Sequence, residues 1–214
     1  MEALLLERIG DYFDFVDFSN GLHGLAIADV AGHGVSASLH MASIQALLRT
    51  LVPLSQSPSE VMRQIHKLFI QNIRFETFVT FFIGAFDSST QTLSFSNAGH
   101  QPALVLHKNK SKKEALEMLW PTGAAIGLVE DAEFAEKTIE LNEEDLLVLY
   151  TDGVTEAVNP QNQEFGRERL IELSKQVNKG SAKQIVQKIR QGIEEFSEGR
   201  PFADDTTIVI CKFK

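Results

Sequence analysis

Several aspartates share one local context, at or near the end of an apolar run and often beside a glycine. They are Asp11, Asp14, Asp29, Asp152, Asp204 and Asp205. A carboxylate at the mouth of an apolar strand is partly desolvated, which costs free energy unless a cation or hydrogen bonds compensate. Because Mg²⁺ and Mn²⁺ prefer carboxylates and backbone carbonyls as ligands, strand ends that converge would form an acidic pocket suited to two metal ions.

The same aspartates have a simpler interpretation as turn residues. Aspartate is common at strand ends because its side chain caps backbone N–H groups, and for any single Asp-Gly pair this interpretation is favoured. Four separate stretches with the same context favour a shared site, although the sequence alone does not prove that they meet in space.

The hydrophobic pattern predicts the elements that must position these residues. Strands are expected at residues 22–30, 78–86, 92–97, 103–106, 117–120, 135–141, 146–151 and 206–213. Helices are expected at residues 36–51, from 58 onwards, 166–177 and 182–196. Ser57 and Ser181 are the expected N-caps of two helices, and Glu60 is expected to complete a capping box with Ser57. Segregated strands and helices predict an α+β fold with helices outside antiparallel sheets, rather than a doubly wound parallel sheet.

Composition narrows the function classes. The 214 residues carry 20 Lys and Arg against 29 Asp and Glu, a net charge of −9, which argues against nucleic acid or an anionic membrane as the main partner. The single cysteine, Cys211, excludes an internal disulfide framework and a cysteine-rich zinc site.

Residues 1–8 do not fit a signal peptide and the apolar runs are too short to cross a bilayer, so a cytoplasmic location is expected. One domain spanning residues 1–214 is the simplest organisation.

Five motifs, in order along the chain, carry a family resemblance. They are Gly-Asp-Tyr-Phe-Asp-Phe at 10–15, Asp-Val-Ala-Gly-His-Gly at 29–34, Ser-Asn-Ala-Gly-His-Gln-Pro at 96–102, Tyr-Thr-Asp-Gly-Val-Thr-Glu-Ala at 150–157 and Asp-Asp-Thr-Thr at 204–207. Together they resemble the bacterial PPM (PP2C-type) serine/threonine phosphatases of the SpoIIE/RsbU-like branch. Each motif is weak alone, but the ordered set is highly specific and spans nearly the whole chain.

The resemblance implies a PP2C-like α-β-β-α sandwich, in which two antiparallel sheets pack face to face between helical pairs. It also implies a centre of two Mn²⁺ or Mg²⁺ ions at one end of the sandwich. Asp29 would bridge the metals, the Val30 carbonyl would be a backbone ligand, and Asp11 would serve one metal directly or through water.

The other metal ligands implied by the resemblance lie in the C-terminal half. Asp152 and Asp204 would hold one metal ion. The sequence leaves open whether Asp204 or the adjacent Asp205 is the ligand, and Asp204 is favoured. Only ten residues precede Asp11, where the resemblance implies a longer leading strand, so the chain is consistent with trimming from a longer regulated protein.

Other polar residues in the motifs keep two interpretations each. His33 is either a proton donor or outer-shell partner of a metal-bound water, or a turn residue that packs or caps. His100 either hydrogen-bonds a ligand-bearing loop or is a structural histidine in a tight strand connection, and the structural role is favoured. Asp14 is either an outer-shell residue or a solvated surface residue, and Glu156 is either near the site or a helix cap.

The function implied is that of a metal-dependent protein phosphatase. A metal-bridging hydroxide would attack phosphoserine or phosphothreonine, with Asp29 and His33 as catalytic candidates. The implied substrate is a phosphorylated protein resembling an anti-anti-sigma factor; neither the substrate nor the oligomeric state is specified by the residues. The alternatives are a non-catalytic phosphoprotein-binding pseudo-phosphatase and an aspartyl-phosphate receiver module, which would require alternating β/α order.

Overall fold

The computed structural model of the chain describes residues 2–6, 11–32, 34–72, 77–108, 111, 115–202 and 204–213. The described strands are β1 (Glu2–Leu6), β2 (Tyr12–Asp17), β3 (His23–Val30), β4 (Val79–Asp87), β5 (Thr92–Ala98), β6 (Ala103–Leu106), β7 (Leu116–Leu119), β8 (Lys137–Glu140), β9 (Leu146–Tyr150) and β10 (Ile208–Lys212). The described helices are α1 (Val35–Leu51), α2 (Pro58–Asn72), α3 (Asp152–Thr155), α4 (Gly166–Val177) and α5 (Ala182–Ser197), with a 3₁₀ helix at Val52–Leu54.

The chain divides into two compact units, each with one antiparallel sheet. We call them the Asp29 unit (Gly10–Pro102 and Trp120–Leu141) and the Asp152 unit (Met1–Ile9, Ala103–Leu119 and Asn142–Lys214). Both sheets have five strands, and every strand pairing within them is antiparallel. The predicted α+β class, with two antiparallel sheets and separate helices, is confirmed.

In the Asp29 unit the sheet order is β2-β3-β4-β5-β8. Helix α1 contacts β3, helix α2 contacts β4 and β5, and the two helices contact each other. The helix-facing side is an apolar core that includes Ala28, Ile44, Ile65 and Phe81, all of them fully buried. This burial fixes which face of β3 points to the helices, and therefore which face carries Asp29.

In the Asp152 unit the sheet order is β1-β10-β9-β6-β7. Helix α5 contacts β1 and β10, and α4 packs on α5. Every residue of β9 and of β10 is buried. Continuous apolar runs such as Leu-Leu-Val-Leu-Tyr in β9 are typical of strands that are buried on both faces.

The predicted helices and central strands are confirmed with boundary shifts of one or two residues, and α4 matches its predicted range. Four of the described elements escaped prediction: β1, β2, the 3₁₀ helix at Val52–Leu54 and the one-turn helix α3. β2 escaped because polar Asp14 and Asp17 interrupt its apolar pattern. α3 is too short to show a helical period.

The two predicted helix caps behave differently. Ser181 caps α5 with a full capping box, because its side chain accepts from Gln184 N while the Gln184 side chain accepts from Ser181 N. Ser57 accepts a hydrogen bond from Glu60 N at 3.4 Å, as expected. The Glu60 carboxylate, however, accepts from Gln56 N rather than from Ser57 N. The second hydrogen bond of the capping box is therefore donated by Gln56 N, one residue before the expected donor Ser57 N.

Within the part of the chain that the structure describes, no helix has both the length and the apolar character needed to cross a bilayer.

Replacing the α5 cap tests the contribution of this helix to the Asp152 unit. Ser181→Ala removes the hydrogen bond to Gln184 N, and loss of such a cap costs about 1 kcal/mol of unfolding free energy. We expect the melting temperature to fall by about 2–4 °C in a calorimetric scan. Ser88→Ala, at an exposed turn position, is the matched control and leaves it unchanged. Equal melting temperatures for both variants would refute the role of the cap.

Candidate metal centre and its supporting contacts

The N-terminal acidic pair lies at one corner of the Asp29 unit. Asp29 is the penultimate residue of β3 and is half-buried. β2 pairs with β3 so that Tyr12 lies opposite Ala28, and extending this register by one residue sets Asp11 opposite Asp29. Directly opposed residues of antiparallel strands point to the same face of the sheet. The structure therefore brings Asp11 and Asp29 to the same end and face, as the sequence predicted.

The face that carries Asp29 is opposite to the one covered by helices. Ala28 and Val30 flank Asp29 in the chain and belong to the core beneath α1 and α2. Because successive strand side chains alternate between faces, Asp29 points to the other side. Val30, the predicted carbonyl ligand, is buried and pairs with Val79 of β4.

The turn after β3 has the backbone that its glycines permit. Gly32 has φ +107° and Gly34 has φ +81°, and a Cβ at either position would meet nothing within 4 Å. These glycines are therefore required by their positive φ rather than by close packing. His33, the predicted proton donor between them, lies outside the described residues.

Asp14 belongs to a different environment from Asp11 and Asp29. Its carboxylate accepts hydrogen bonds from Tyr12 Oη at 2.6 Å and from Arg49 Nε of α1 at 2.7 Å. Tyr12 shares the face of β2 with Asp14 and lies in the helix-facing core. Asp14 therefore forms an ion pair with Arg49 on the helix-facing side of the sheet. This ion pair replaces both expected roles of Asp14, as an outer-shell residue and as a solvated surface residue.

The Asp14 environment also sets its pKa. Burial alone would raise the pKa of Asp14, but hydrogen bonds from Arg49 and Tyr12 and the charge of Arg49 outweigh burial and lower it. The carboxylate is therefore held in its ionised form by α1. Arg49 was missed from the sequence because no periodic signal links residues 35 positions apart.

The Asn97–His100 motif supports the strand ends of the Asp29 unit. His100 is buried, its N–H donates to Asn97 Oδ1 at 2.8 Å, and its Nδ1 lies 2.8 Å from Thr80 Oγ1. Thr80 is the register partner of Asp29 on β4. His100 thus acts as the structural histidine that the sequence predicted, one contact removed from Asp29.

The second acidic group lies at one end of the Asp152 unit. Asp152 is half-buried and begins α3 directly after β9. The preceding Thr151 and the distant Thr207 bind each other through two hydrogen bonds, from Thr151 N to Thr207 O at 3.1 Å and from Thr207 N to Thr151 Oγ1 at 3.0 Å. The two predicted motifs are thereby tied together.

Gly153 allows these two segments to approach closely. A Cβ on Gly153 would collide with the backbone oxygen of Asp205, so only glycine fits there. Asp204 is exposed and its Oδ1 accepts from Asp205 N at 2.8 Å, while Asp205 is half-buried. The structure therefore brings Asp152, Asp204 and Asp205 together at one end of the sheet in the Asp152 unit.

Like charges repel one another in this group. Burial and the charge of Asp204 raise the pKa of Asp152. Burial and the charges of Asp152, Glu164 and Asp204 raise the pKa of Glu156. The Asp204 carboxylate therefore adds to the negative charge around Asp152, and Glu156 joins the same negative cluster.

The only cysteine in the sequence takes no part in this chemistry. Cys211 is fully buried in β10, and burial raises the pKa of its thiol to about 12. A thiol with such a pKa is not a nucleophile near neutral pH. Cysteine-dependent phosphate ester hydrolysis is therefore excluded for this residue.

The fold and the strand-end carboxylates define a PP2C-type domain. The solved SiaA-PP2C domain of Pseudomonas aeruginosa superposes with a TM-score of 0.84 at 17% identity, covering 99% of this chain and 85% of that one. RsbX, solved in complex with magnesium, superposes with a TM-score of 0.70 at 15% identity, covering 99% of this chain and 94% of that one.

The chain belongs to the SpoIIE family, because the family model described as Stage II sporulation protein E matches residues 19–214. The phosphoserine phosphatase RsbU of Bacillus subtilis is 27% identical over 205 residues, covering 96% of this chain and 59% of RsbU. The phosphoserine phosphatase RsbP of the same organism is 27% identical over 212 residues, covering 97% of this chain and 50% of RsbP. The chain thus spans about half the length of these relatives.

The donor chemistry fits a divalent cation in part. A carboxylate whose pKa is raised by burial and by neighbouring carboxylates, as at Asp152 and Glu156, is stabilised in its ionised form by a nearby cation. No group of three His, Cys, Asp or Glu side chains able to hold a metal ion is present within the described ranges. A complete two-metal centre therefore remains a prediction.

Removing the repulsion at Asp152 tests this electrostatic account. A carboxyl group whose pKa is raised by folding destabilises the folded state increasingly as pH rises above the unfolded pKa, and the cost is complete above the raised folded pKa. Below the unfolded pKa this cost is absent. With chelator at pH 7, we expect Asp152→Asn to raise the melting temperature by about 1–3 °C. The difference from the unmodified protein should shrink as pH falls toward 4.

Asp131→Asn provides the control, because it removes the same charge from an exposed position. A lower melting temperature for Asp152→Asn at pH 7 would mean that its charge stabilises the fold.

Proposed function

We propose that this chain is a protein phosphatase that hydrolyses phosphoserine or phosphothreonine. The observation that carries the proposal is the SpoIIE family match across residues 19–214. Relatives at 27% identity are named phosphoserine phosphatases, which supports the same reaction class here. We further propose that residues 1–214 act as one phosphatase domain.

The strand-end carboxylates are the proposed ligands of two Mn²⁺ or Mg²⁺ ions. Asp11 and Asp29, with the Val30 carbonyl, supply ligands from the Asp29 unit, and Asp152 with Asp204 or Asp205 supplies them from the Asp152 unit. RsbX, with the same fold, has been solved with magnesium, which supports this choice of ion. A bound divalent cation lowers the pKa of water and offsets charge on phosphoryl oxygens.

The chain's own residues complete the proposed reaction. Asp29 orients the group bound at its corner together with the opposed Asp11, which shares its face of the sheet. His33 donates a proton from its imidazole to the departing serine or threonine oxygen. Thr151 and Thr207 hold Asp152 and the Asp204–Asp205 pair in register through their mutual hydrogen bonds.

The proposed substrate is a phosphorylated protein. The resemblance to the RsbU-like branch extends this proposal to a regulator of the anti-anti-sigma-factor type. A phosphoserine peptide tests the class, and a phosphorylated anti-anti-sigma factor tests the finer substrate.

A metal-dependence assay tests the proposed activity. We expect hydrolysis of p-nitrophenyl phosphate and of a phosphoserine peptide in Mn²⁺, and no hydrolysis after chelation. Outer-shell partners of metals contribute about 10–100-fold, so loss of the ligand Asp29 in Asp29→Asn should reduce kcat/KM by at least about 100-fold.

Asp17→Asn is the matched control because Asp17 lies at the opposite end of the same strand pair, in an exposed contact with His23. It should retain activity. Comparing Asp204→Asn with Asp205→Asn identifies the ligand, which we expect to be Asp204. Mn²⁺ binding without turnover would instead support the pseudo-phosphatase, and unchanged activity in Asp29→Asn would refute the assigned role.

A further inference from the structure

A lysine-lined cavity lies within the Asp152 unit, apart from its acidic group. Its volume is about 470 Å³, and its lining includes Lys108, Lys179, Lys212, Glu144 and Asn178. Cavities of about 300–1,000 Å³ are typical of small-molecule sites. In a chain with a net charge of −9, a pocket lined by three lysines and one carboxylate is unusual.

The cavity lies at the end of the sheet opposite to Asp152. In the β9–β10 pair, Lys212 lies opposite Leu146, whereas Ile208 lies opposite Tyr150, just before Asp152. Lys212 lies four residues after Ile208 along β10, a rise of about 13 Å. The lysines are therefore distinct from the proposed metal ligands.

The lysine charges are only partly neutralised. Lys212 Nζ donates to Glu144 Oε2 at 2.8 Å and to Gly180 O at 3.0 Å, and Lys108 Nζ donates to the same Glu144 oxygen at 3.1 Å. One carboxylate thus serves two ammonium groups. Lys179 on the α4–α5 connection adds a third, so the lining has an excess of positive charge.

A buried network holds the pocket walls in place. Asp145 is fully buried and accepts hydrogen bonds from Lys108 N at 2.9 Å and from Asn142 N at 2.9 Å. Its second contact to the end of β6 is with His107 Nδ1, at 2.7 Å. The buried Asp145 carboxylate therefore holds the backbone at Lys108, and Glu144 directly precedes Asp145 in the chain.

We propose that this cavity binds a small phosphate-bearing anion. Lysine ammonium groups bind phosphate as compact charges with several donors, and a partly enclosed site strengthens such contacts. Leu106 and Leu146 complete the lining with apolar surface, which favours a phosphate monoester with a short carbon chain over inorganic phosphate. Inorganic phosphate and a phosphate monoester share the phosphate group, and this is the group that the lysines would recognise.

The experiment titrates the full chain with inorganic phosphate and, separately, with glycerol 3-phosphate. Chelator is present, so that metal-dependent phosphate binding elsewhere is removed. We expect saturable amide shifts in an NMR spectrum at Lys108, Lys179 and Lys212, weakened by added NaCl. The monoester should bind more tightly than phosphate.

Variants make the assignment specific. Lys179→Gln and Lys108→Gln should each weaken binding by about tenfold, the usual effect of losing a hydrogen bond to a charged group. Lys188→Gln removes the same charge from an exposed position on α5 outside the lining and should leave binding unchanged. Asp152→Asn should also leave it unchanged, which separates this site from the proposed metal centre.

Two results would overturn the proposal. One is the absence of saturable shifts for either anion. The other is equal affinity in the Lys108→Gln/Lys179→Gln double variant and the unmodified chain. Tighter binding of inorganic phosphate than of glycerol 3-phosphate would retain the phosphate site and overturn only the preference for a monoester.

Discussion

Repulsion between partly buried carboxylates is the constraint around which the acidic end of the sheet in the Asp152 unit is built. The pKa of Asp152 is raised by burial and by the neighbouring Asp204, so ionisation of Asp152 costs folding free energy. Such an arrangement persists only where surrounding contacts enforce it. The Thr151–Thr207 hydrogen bonds and the tight passage of Asp205 over Gly153 provide that enforcement. In the Asp29 unit the β2–β3 register sets Asp11 opposite Asp29.

The strand-end aspartates and most elements were predictable because they depend on local signals. Apolar runs followed by Asp-Gly marked β9 and Asp152, and the serine cap marked the start of α5. The contacts that remained hidden join distant parts of the chain. The Arg49–Asp14 ion pair spans 35 residues and has no counterpart in periodicity, so Asp14 was expected to be solvated or near a metal ion.

Placement on a face, rather than proximity in sequence, separates Asp14 from Asp11. The two residues share one motif, yet alternation along β2 and the contact with Arg49 place Asp14 on the helix-facing side. Had β2 been recognised as a strand, its period of two would have separated them. The Asn97–His100 motif was correctly interpreted, because a buried histidine between two polar partners is a structural feature.

The sheet of the Asp152 unit carries opposite charges at its two ends. Asp152 and Asp204 lie beyond one end of β9 and β10, and Lys108 and Lys212 lie at the other. A rigid, fully buried strand pair keeps these charges apart and prevents them from neutralising each other.

Manganese anomalous scattering from crystals of the Mn²⁺-soaked protein tests the central claim most directly. The account predicts anomalous peaks within about 2.5 Å of carboxylate oxygens of Asp29 and Asp152, the distance expected for oxygen ligands of divalent ions. Peaks confined to other residues, or none at either aspartate under saturating Mn²⁺, would contradict it.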